Sequence, residues 1–305
     1  MDYKYFKNNY DGKICRIHVE RDDEPWDPRV DMDGNIGHMM IWWNRYRLGD
    51  YKENKFNDPD DFVNDLVRSN VSEKQIINYV KTKKTSNNLE LVYNRKERIW
   101  ELWGYWKYWW TGNEVHYGVI TSNYPIDFLI DDIIEAMSFD DKWVLLEQNG
   151  IVSLPLHIYE HGGITISTGG FSCPWDSGQA GWIYTTKKEI MECGGSILNE
   201  KGNYIKVTDK NWKKAAQIWM EGEVELYDQF LQGDCYGYII DELDMDCQAA
   251  LESEMNLLDE DDMEWNENVD SCWGYYSDKW GDDLIEEIAS EVGAFKLFDR
   301  LEDVV

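Results

Sequence analysis

The sequence lacks several features that would assign it to a common class of protein. No run of about 18 apolar residues is present, so we expect no transmembrane helix and no membrane partner. Residues 1–20 have no apolar stretch followed by small residues, so we expect a cytoplasmic protein without a secretory signal. The six cysteines are scattered and form no C-x-x-C pair, which argues against a disulfide scaffold and against a structural zinc site.

The common catalytic and cofactor-binding motifs are also missing. The chain contains no Walker A motif, no dinucleotide fingerprint, no H-E-x-x-H and no G-x-S-x-G. Residues 31–35 (DMDGN) resemble part of a calcium loop, but Arg29 and Met40 would occupy its first and twelfth positions. We therefore expect no metal ion and no cofactor, and a binding protein rather than an enzyme.

Basic residues are scarce relative to acidic ones. The 30 Lys and Arg residues against 60 Asp and Glu residues give a formal net charge of −30, which argues against direct binding to nucleic acid or to anionic lipid. Residues 221–305 alone contain 27 acidic and 3 basic residues. The acidic peaks, which we predict to be partner-binding residues, are Asp241, Glu242, Asp244, Asp246, Asp259, Glu260, Asp261 and Asp262.

This acidic segment has two interpretations. One is a solvated face that keeps the protein soluble. The other is a surface for a basic partner, because spaced carboxylates can imitate the phosphates of a duplex. Aromatic residues within the segment, such as Trp265, Trp273 and Trp280, favour a folded surface over a loose tail.

The hydrophobic content of 43%, with 16 Trp and 19 Tyr, is enough for a folded core. Strand-like runs dominate the centre, and helices are predicted over residues 58–67, 126–137, 209–231 and 280–292. Asn149-Gly150 predicts a hairpin between strands at 142–148 and 151–159. We expect an α+β fold with a mixed or antiparallel central sheet, flanking helices and an acidic C-terminal part. Residues 1–220 would form the core and residues 221–305 would pack on it. The alternative is that the whole chain forms a single domain.

Tryptophans are concentrated between residues 100 and 110. This cluster is best explained by packing in the core or at a subunit interface. If it forms a subunit interface, the protein is a homo-oligomer. The alternative is an exposed aromatic platform that stacks on bases or sugars.

Several segments of the sequence resemble corresponding segments of a protein family. They include residues 157–184, with the sequence Ser-Cys-Pro-Trp-Asp-Ser-Gly-Gln from Ser172, residues 25–50, residues 222–238 and residues 271–276. In these blocks the chain resembles an uncharacterised family of proteins encoded by bacteriophages and plasmids, mainly of Gram-positive bacteria. The resemblance implies an accessory gene of a mobile element, and brings no known activity. The Trp-rich residues 95–118 and the acidic residues 241–268 have no counterpart in it.

One group of residues could carry catalysis. His161, Cys173 and Asp176 lie within sixteen positions of one another, and a thiolate, an imidazole and a carboxylate can form a catalytic triad. The competing interpretation is a tight glycine-rich turn in which Cys173 is a small apolar residue.

Three functions follow as hypotheses. The leading one is a mobile-element protein in the host cytoplasm that binds and inhibits a basic nucleic-acid-handling or immunity protein, with acidic DNA mimicry as one mechanism. The second is a cysteine-dependent hydrolase or transferase that uses Cys173 and His161. The third is a virion or structural accessory protein.

Overall fold

The computed structural model describes residues 3–107, 115–253 and 263–304. Its strands are β1 (Lys4–Lys7), β2 (Ile14–Arg21), β3 (His38–Ile41), β4 (Glu90–Asn94), β5 (Ile99–Lys107), β6 (Val115–Asn123), β7 (Ile151–Glu160), β8 (Ile164–Ser167), β9 (Ser177–Thr186), β10 (Ser196–Leu198), β11 (Tyr204–Lys206), β12 (Cys235–Leu243) and β13 (Trp265–Tyr276). The α-helices are α1 (Pro59–Asn70), α2 (Glu73–Thr82), α3 (Ile130–Ala136), α4 (Phe139–Gln148), α5 (Lys187–Cys193), α6 (Trp212–Gln232), α7 (Met245–Glu252) and α8 (Asp282–Ile288).

These elements form two compact units, each built from separate stretches of the chain. The first unit contains residues 1–33, 158–178 and 223–305, and the second contains residues 34–157 and 179–222. This division differs from the expected one at residue 220. The reason is that β2, near the start of the chain, pairs along its length with β12 of the acidic segment.

The first unit is organised around a four-stranded sheet of order β1-β2-β12-β13, in which neighbouring strands are antiparallel. Alternate residues of β1, β2 and β12 point to one face, where Phe6, Ile17 and Tyr238 are buried. Helix α8 covers this face with Leu284, Ile285 and Ile288. The C-terminal helix predicted over residues 280–292 is therefore present, but it is shorter, from Asp282 to Ile288.

The second unit contains α1 to α4 around an apolar core, together with the antiparallel three-stranded sheet β4-β5-β6. Helix α1 begins as the sequence predicts, because the Asp58 side chain accepts a hydrogen bond from the Asp61 backbone N–H and Pro59 follows the cap. Trp100 packs against this core and is half-buried. Trp109 and Trp110 lie outside the described residues.

The predicted hairpin at Asn149-Gly150 is wrong, because a helix and not a strand precedes this turn. Residues 142–148 belong to α4, which Ser138 caps by accepting a hydrogen bond from the Asp141 backbone N–H. Asn149 then ends the helix, and Gly150 has a φ of +85° before β7 begins. Asn-Gly often supplies the left-handed backbone of a hairpin turn, but in this chain the left-handed Gly150 follows the end of a helix.

The protein therefore has an α+β fold with several antiparallel sheets, as the sequence predicts. The order of the other four-stranded sheet is β3-β9-β7-β8. Within the described residues, no helix combines the length and apolarity needed to cross a bilayer.

Candidate functional site

The three candidate catalytic residues lie together in the turns that flank β8. The Asp176 carboxylate is central: its Oδ2 lies 3.7 Å from Cys173 Sγ and 3.5 Å from His161 Nδ1. Backbone hydrogen bonds hold the turns, since the Glu160 N–H donates to the Asp176 carbonyl and the Ser177 hydroxyl donates to the Cys173 carbonyl. The His161 side chain is 71% exposed.

This order of groups differs from that of a catalytic triad. In a triad the imidazole lies between the nucleophile and the carboxylate, so that it takes the nucleophile's proton. Here the carboxylate lies between the thiol and the imidazole, and no hydrogen bond joins Cys173 to His161 in the described part of the chain. The geometry therefore favours the interpretation as a stabilised turn.

The predicted acidic residues 241–246 have different surroundings. Asp241 is buried, and its carboxylate accepts hydrogen bonds from Arg16 Nε at 2.8 Å and from the Asn268 backbone N–H at 2.8 Å. Glu242 forms an ion pair with Lys13 at 2.8 Å. These two carboxylates are bound within the chain, so neither presents a free charge to a partner.

The next two acidic residues stabilise α7. The Asp244 side chain accepts a hydrogen bond from the Asp246 backbone N–H and caps the helix, while Asp246 is exposed in its first turn. Asp259, Glu260, Asp261 and Asp262 lie outside the described residues. Of the predicted partner-binding residues that the structure describes, Asp246 is thus the one with an exposed carboxylate and no capping role.

A cleft of about 830 Å³ opens in the first unit where β1 and β2 meet the start of α8. Four aromatic residues line it, Tyr3, Tyr5, His18 and Trp280, and Trp280 is 55% exposed. The acidic lining residues are Asp282, Asp283 and Asp299, and the basic ones are Lys4 and Arg300. The cleft thus combines aromatic surface with an excess of carboxylates.

Lys4 forms ion pairs with two of these carboxylates. Its Nζ lies 2.7 Å from Asp282 and 2.5 Å from Asp299. Hydrogen bonds to Asp282 and Asp299 raise the pKa of Lys4 to about 12, so this ammonium is charged at neutral pH. Asp283 forms no ion pair with any described residue, and its carboxylate is exposed at the rim.

His18 is the buried polar group of the cleft. Its residue is 6% exposed, the Tyr3 ring meets its ring edge-on at 5.0 Å, and its Nε2 lies 3.4 Å from Glu20. Its Nδ1 is buried without a hydrogen-bond partner. Buried polar atoms are nearly always paired in native proteins, so this unpartnered nitrogen is an unusual feature of the described residues.

The sequence indicated only part of this cleft. The acidic, tryptophan-containing composition around Trp280 indicated a folded surface there. No sequence pattern indicated that Tyr3, Lys4 and His18 would belong to the same site. They reach the cleft because β1 and β2 belong to the same sheet as β12, more than 200 residues away in the chain.

One group of side chains among the described residues is close enough to hold a metal ion, although the sequence predicted no metal site. One potential ligand atom from each of His38, Asp50 and Glu53 lies within 4.8 Å of the others. These residues belong to the second unit, so this group is separate from the cleft.

Comparison with known proteins gives no relative: no family model, no curated protein and no solved structure matches the chain. The resemblance to phage- and plasmid-encoded proteins therefore stays a prediction.

Proposed function

We propose that this protein is an accessory protein of a mobile genetic element that binds and inhibits a basic, nucleic-acid-handling or immunity protein of the host. The observation that carries the proposal is the cleft of the first unit, which places Trp280 and Tyr3 beside Asp282, Asp283 and Asp299. Aromatic rings next to carboxylates are suited to the arginine-rich surfaces of proteins that handle nucleic acids.

Helix α8 extends this acidic surface beyond the cleft. Its apolar side is buried, whereas Asp282, Asp283, Glu286 and Glu287 are exposed. Further exposed acidic residues between 263 and 304 are Glu264, Glu267, Asp270, Asp278, Glu291, Asp299, Glu302 and Asp303. The exposed basic residues of the same stretch are Lys279, Lys296 and Arg300. The balance of charge favours a positively charged partner and fast, salt-sensitive association.

An arginine side chain fits the chemistry of the cleft. A guanidinium stacks on an aromatic face and forms two parallel hydrogen bonds to one carboxylate. Trp280 supplies an exposed ring and Asp283 a carboxylate that forms no ion pair within the described chain. Buried aromatic and arginine contacts dominate the energetics of many interfaces, so we expect Trp280 and Asp283 to contribute most of the affinity.

The charge pattern supports a partner that normally binds nucleic acid. A duplex presents about one negative charge per 1.7 Å of helix axis, and a folded acidic surface can occupy the same basic groove. A mobile-element origin rests on the resemblance of the sequence blocks, and the inhibition of a host defence protein is the use that such an element would make of this surface.

The competing functions gain less support. A cysteine hydrolase would need a different order of Cys173, His161 and Asp176, and a virion protein has no feature in its favour among the described residues.

The test is affinity capture from host lysate with the wild-type chain and with Asp283→Asn/Glu286→Gln, at about 0.1 M and about 0.5 M NaCl. We expect the wild type to retain a basic nucleic-acid-binding protein at low salt and to release it at high salt. The double variant should retain at least tenfold less of it, and the purified partner should lose its binding to DNA or RNA when the wild-type chain is added.

The matched control is Glu200→Gln/Glu221→Gln, which removes the same charge from exposed positions of the second unit. If both double variants reduce capture equally, the surface around the cleft is not the binding site. If capture is insensitive to salt, or if nucleic-acid binding by the captured protein is unaffected, the proposed function is wrong. Stoichiometric incorporation into purified phage particles would favour the virion function instead.

A further inference from the structure

The chain brings Asp50 and Glu53 beside β3 through a turn that requires glycine. Gly49 has a φ of +65°, and a Cβ on it would lie 2.6 Å from the Met39 carbonyl oxygen. After this close approach, the Asp50 Oδ2 accepts a hydrogen bond from the Met39 backbone N–H at 2.8 Å. The Glu53 backbone N–H donates to the Asp50 carbonyl at 2.9 Å, which keeps the two carboxylates on the same turn.

His38, the first residue of β3, is oriented by a separate carboxylate. The Glu189 Oε1 lies 2.9 Å from His38 Nε2, while Glu189 Oε2 accepts hydrogen bonds from the backbone N–H and the hydroxyl of Thr186. Burial alone would raise the pKa of Glu189, but the hydrogen bonds from His38 and Thr186 outweigh burial and hold this pKa below its usual value.

Of the two ring nitrogens of His38, Nε2 is the one beside Glu189. An ionised carboxylate can only accept hydrogen bonds, so His38 Nε2 carries the proton that it shares with Glu189. In the neutral tautomer with this donor, the lone pair of the ring is on Nδ1. A histidine whose other ring nitrogen donates to a carboxylate is the usual arrangement of a metal-binding histidine.

The surroundings of the ring are negatively charged. Tyr184 pairs with His38 across β3 and β9, and their ring centroids are 5.1 Å apart. Burial, followed by the nearby carboxylates of Glu189, Asp50 and Glu53, raises the pKa of Tyr184 to about 12. The carboxylates of Asp50 and Glu53, which lie close to His38, would favour a cation at this position.

We propose that His38 Nδ1 and one carboxylate oxygen each from Asp50 and Glu53 bind a divalent transition-metal ion, with Zn²⁺ as the preferred ion and Glu189 orienting the imidazole. One potential ligand atom from each residue, a ring nitrogen in the case of His38, lies within 4.8 Å of the other two. Around Zn²⁺, with bonds of about 2.1 Å, the three ligand atoms would draw together to about 3.4 Å. Three protein ligands leave one coordination position open, and the partly exposed His38 and exposed Glu53 leave the ion accessible from solvent. One nitrogen ligand among oxygens favours Zn²⁺ over Ca²⁺ or Mg²⁺.

The experiment is calorimetric titration of the full-length protein with Zn²⁺, repeated with Ca²⁺ and Mg²⁺. The wild type should bind one equivalent of Zn²⁺. The variants His38→Gln and Glu53→Gln should each weaken this binding at least tenfold, because each removes one ligand while leaving the backbone contacts of Asp50 in place. Titration with Co²⁺ should give a visible absorption band in the wild type that is lost in His38→Gln.

The matched control is His161→Gln, which removes an exposed histidine 3.5 Å from another carboxylate, in the first unit. It should bind Zn²⁺ as the wild type does. If wild-type protein binds no Zn²⁺ at millimolar concentration, if His38→Gln binds as tightly as the wild type, or if His161→Gln is equally impaired, there is no metal site at His38. This inference is independent of the proposed function, because the variants leave the cleft of the first unit unchanged and can be tested for partner capture separately.

Discussion

Within residues 241–246, neighbouring carboxylates serve different purposes because their surroundings differ. Asp241 is 3% exposed, and the guanidinium of Arg16 that pairs with it also lies 4.3 Å from the Tyr3 ring centroid and 4.5 Å from that of Trp265. Asp246, five residues later, is exposed at the start of α7. A buried carboxylate of this kind stabilises the fold, whereas an exposed one is available for a partner.

We expect Asp241→Ala to lower the free energy of unfolding by about 3 kcal/mol, because it leaves the guanidinium of Arg16 without its buried counter-charge. Asp246→Ala removes the same charge from an exposed position and should change the free energy of unfolding by less than about 0.5 kcal/mol. Urea denaturation followed by tryptophan fluorescence measures both. Equal effects of the two substitutions would show that the Arg16–Asp241 pair does not stabilise the first unit.

At the scale of the element, the sequence predicts a helix where either its cap or its apolar face stands out from the neighbouring residues. Helix α1 has Asp58 and Pro59 at its start, and α8 has Leu284, Ile285 and Ile288 on one side. Helix α4 was missed because its apolar residues suggested a strand and Asn149-Gly150 suggested a hairpin turn. Its own signal was present in Ser138 followed by Asp140 and Asp141, a capping serine with acidic residues in the first turn.

The cap of α1 gives a prediction at this scale. Asp58→Ala removes the side-chain acceptor of the Asp61 N–H and should lower the free energy of unfolding by about 1 kcal/mol. Asp58→Asn keeps an acceptor at the same position and should retain most of the stability. Thermal denaturation by circular dichroism compares the two variants with the wild type. A loss of stability in Asp58→Asn equal to that in Asp58→Ala would assign the effect to charge instead of to the hydrogen bond.

At the scale of the whole molecule, the candidate sites depend on long-range pairing that no local pattern reveals. The cleft of the first unit needs residues 3–19 and residues 280–300 together, and they meet because α8 packs on the face of the sheet that contains β1 and β2. The candidate metal site at His38 depends on the turn at Gly49 after β3 and on Glu189 of α5, which contacts the His38 ring. The total charge, in contrast, was readable from composition, because it does not depend on where the residues lie.

That charge leads to a prediction for the chain as a whole. A net charge of −30 places many like charges on one folded protein, and their mutual repulsion favours unfolding. Raising NaCl from about 0.02 M to about 0.3 M shortens the screening length from about 20 Å to about 6 Å, so we expect the Tm to rise by several degrees. Scanning calorimetry measures the shift, KCl at the same ionic strength should give the same value, and Asp283→Asn/Glu286→Gln should give a smaller rise. A Tm that falls with salt would mean that attractive pairs such as Lys4–Asp282 outweigh the repulsion, and the acidic surface would then be less available to a partner than its composition implies.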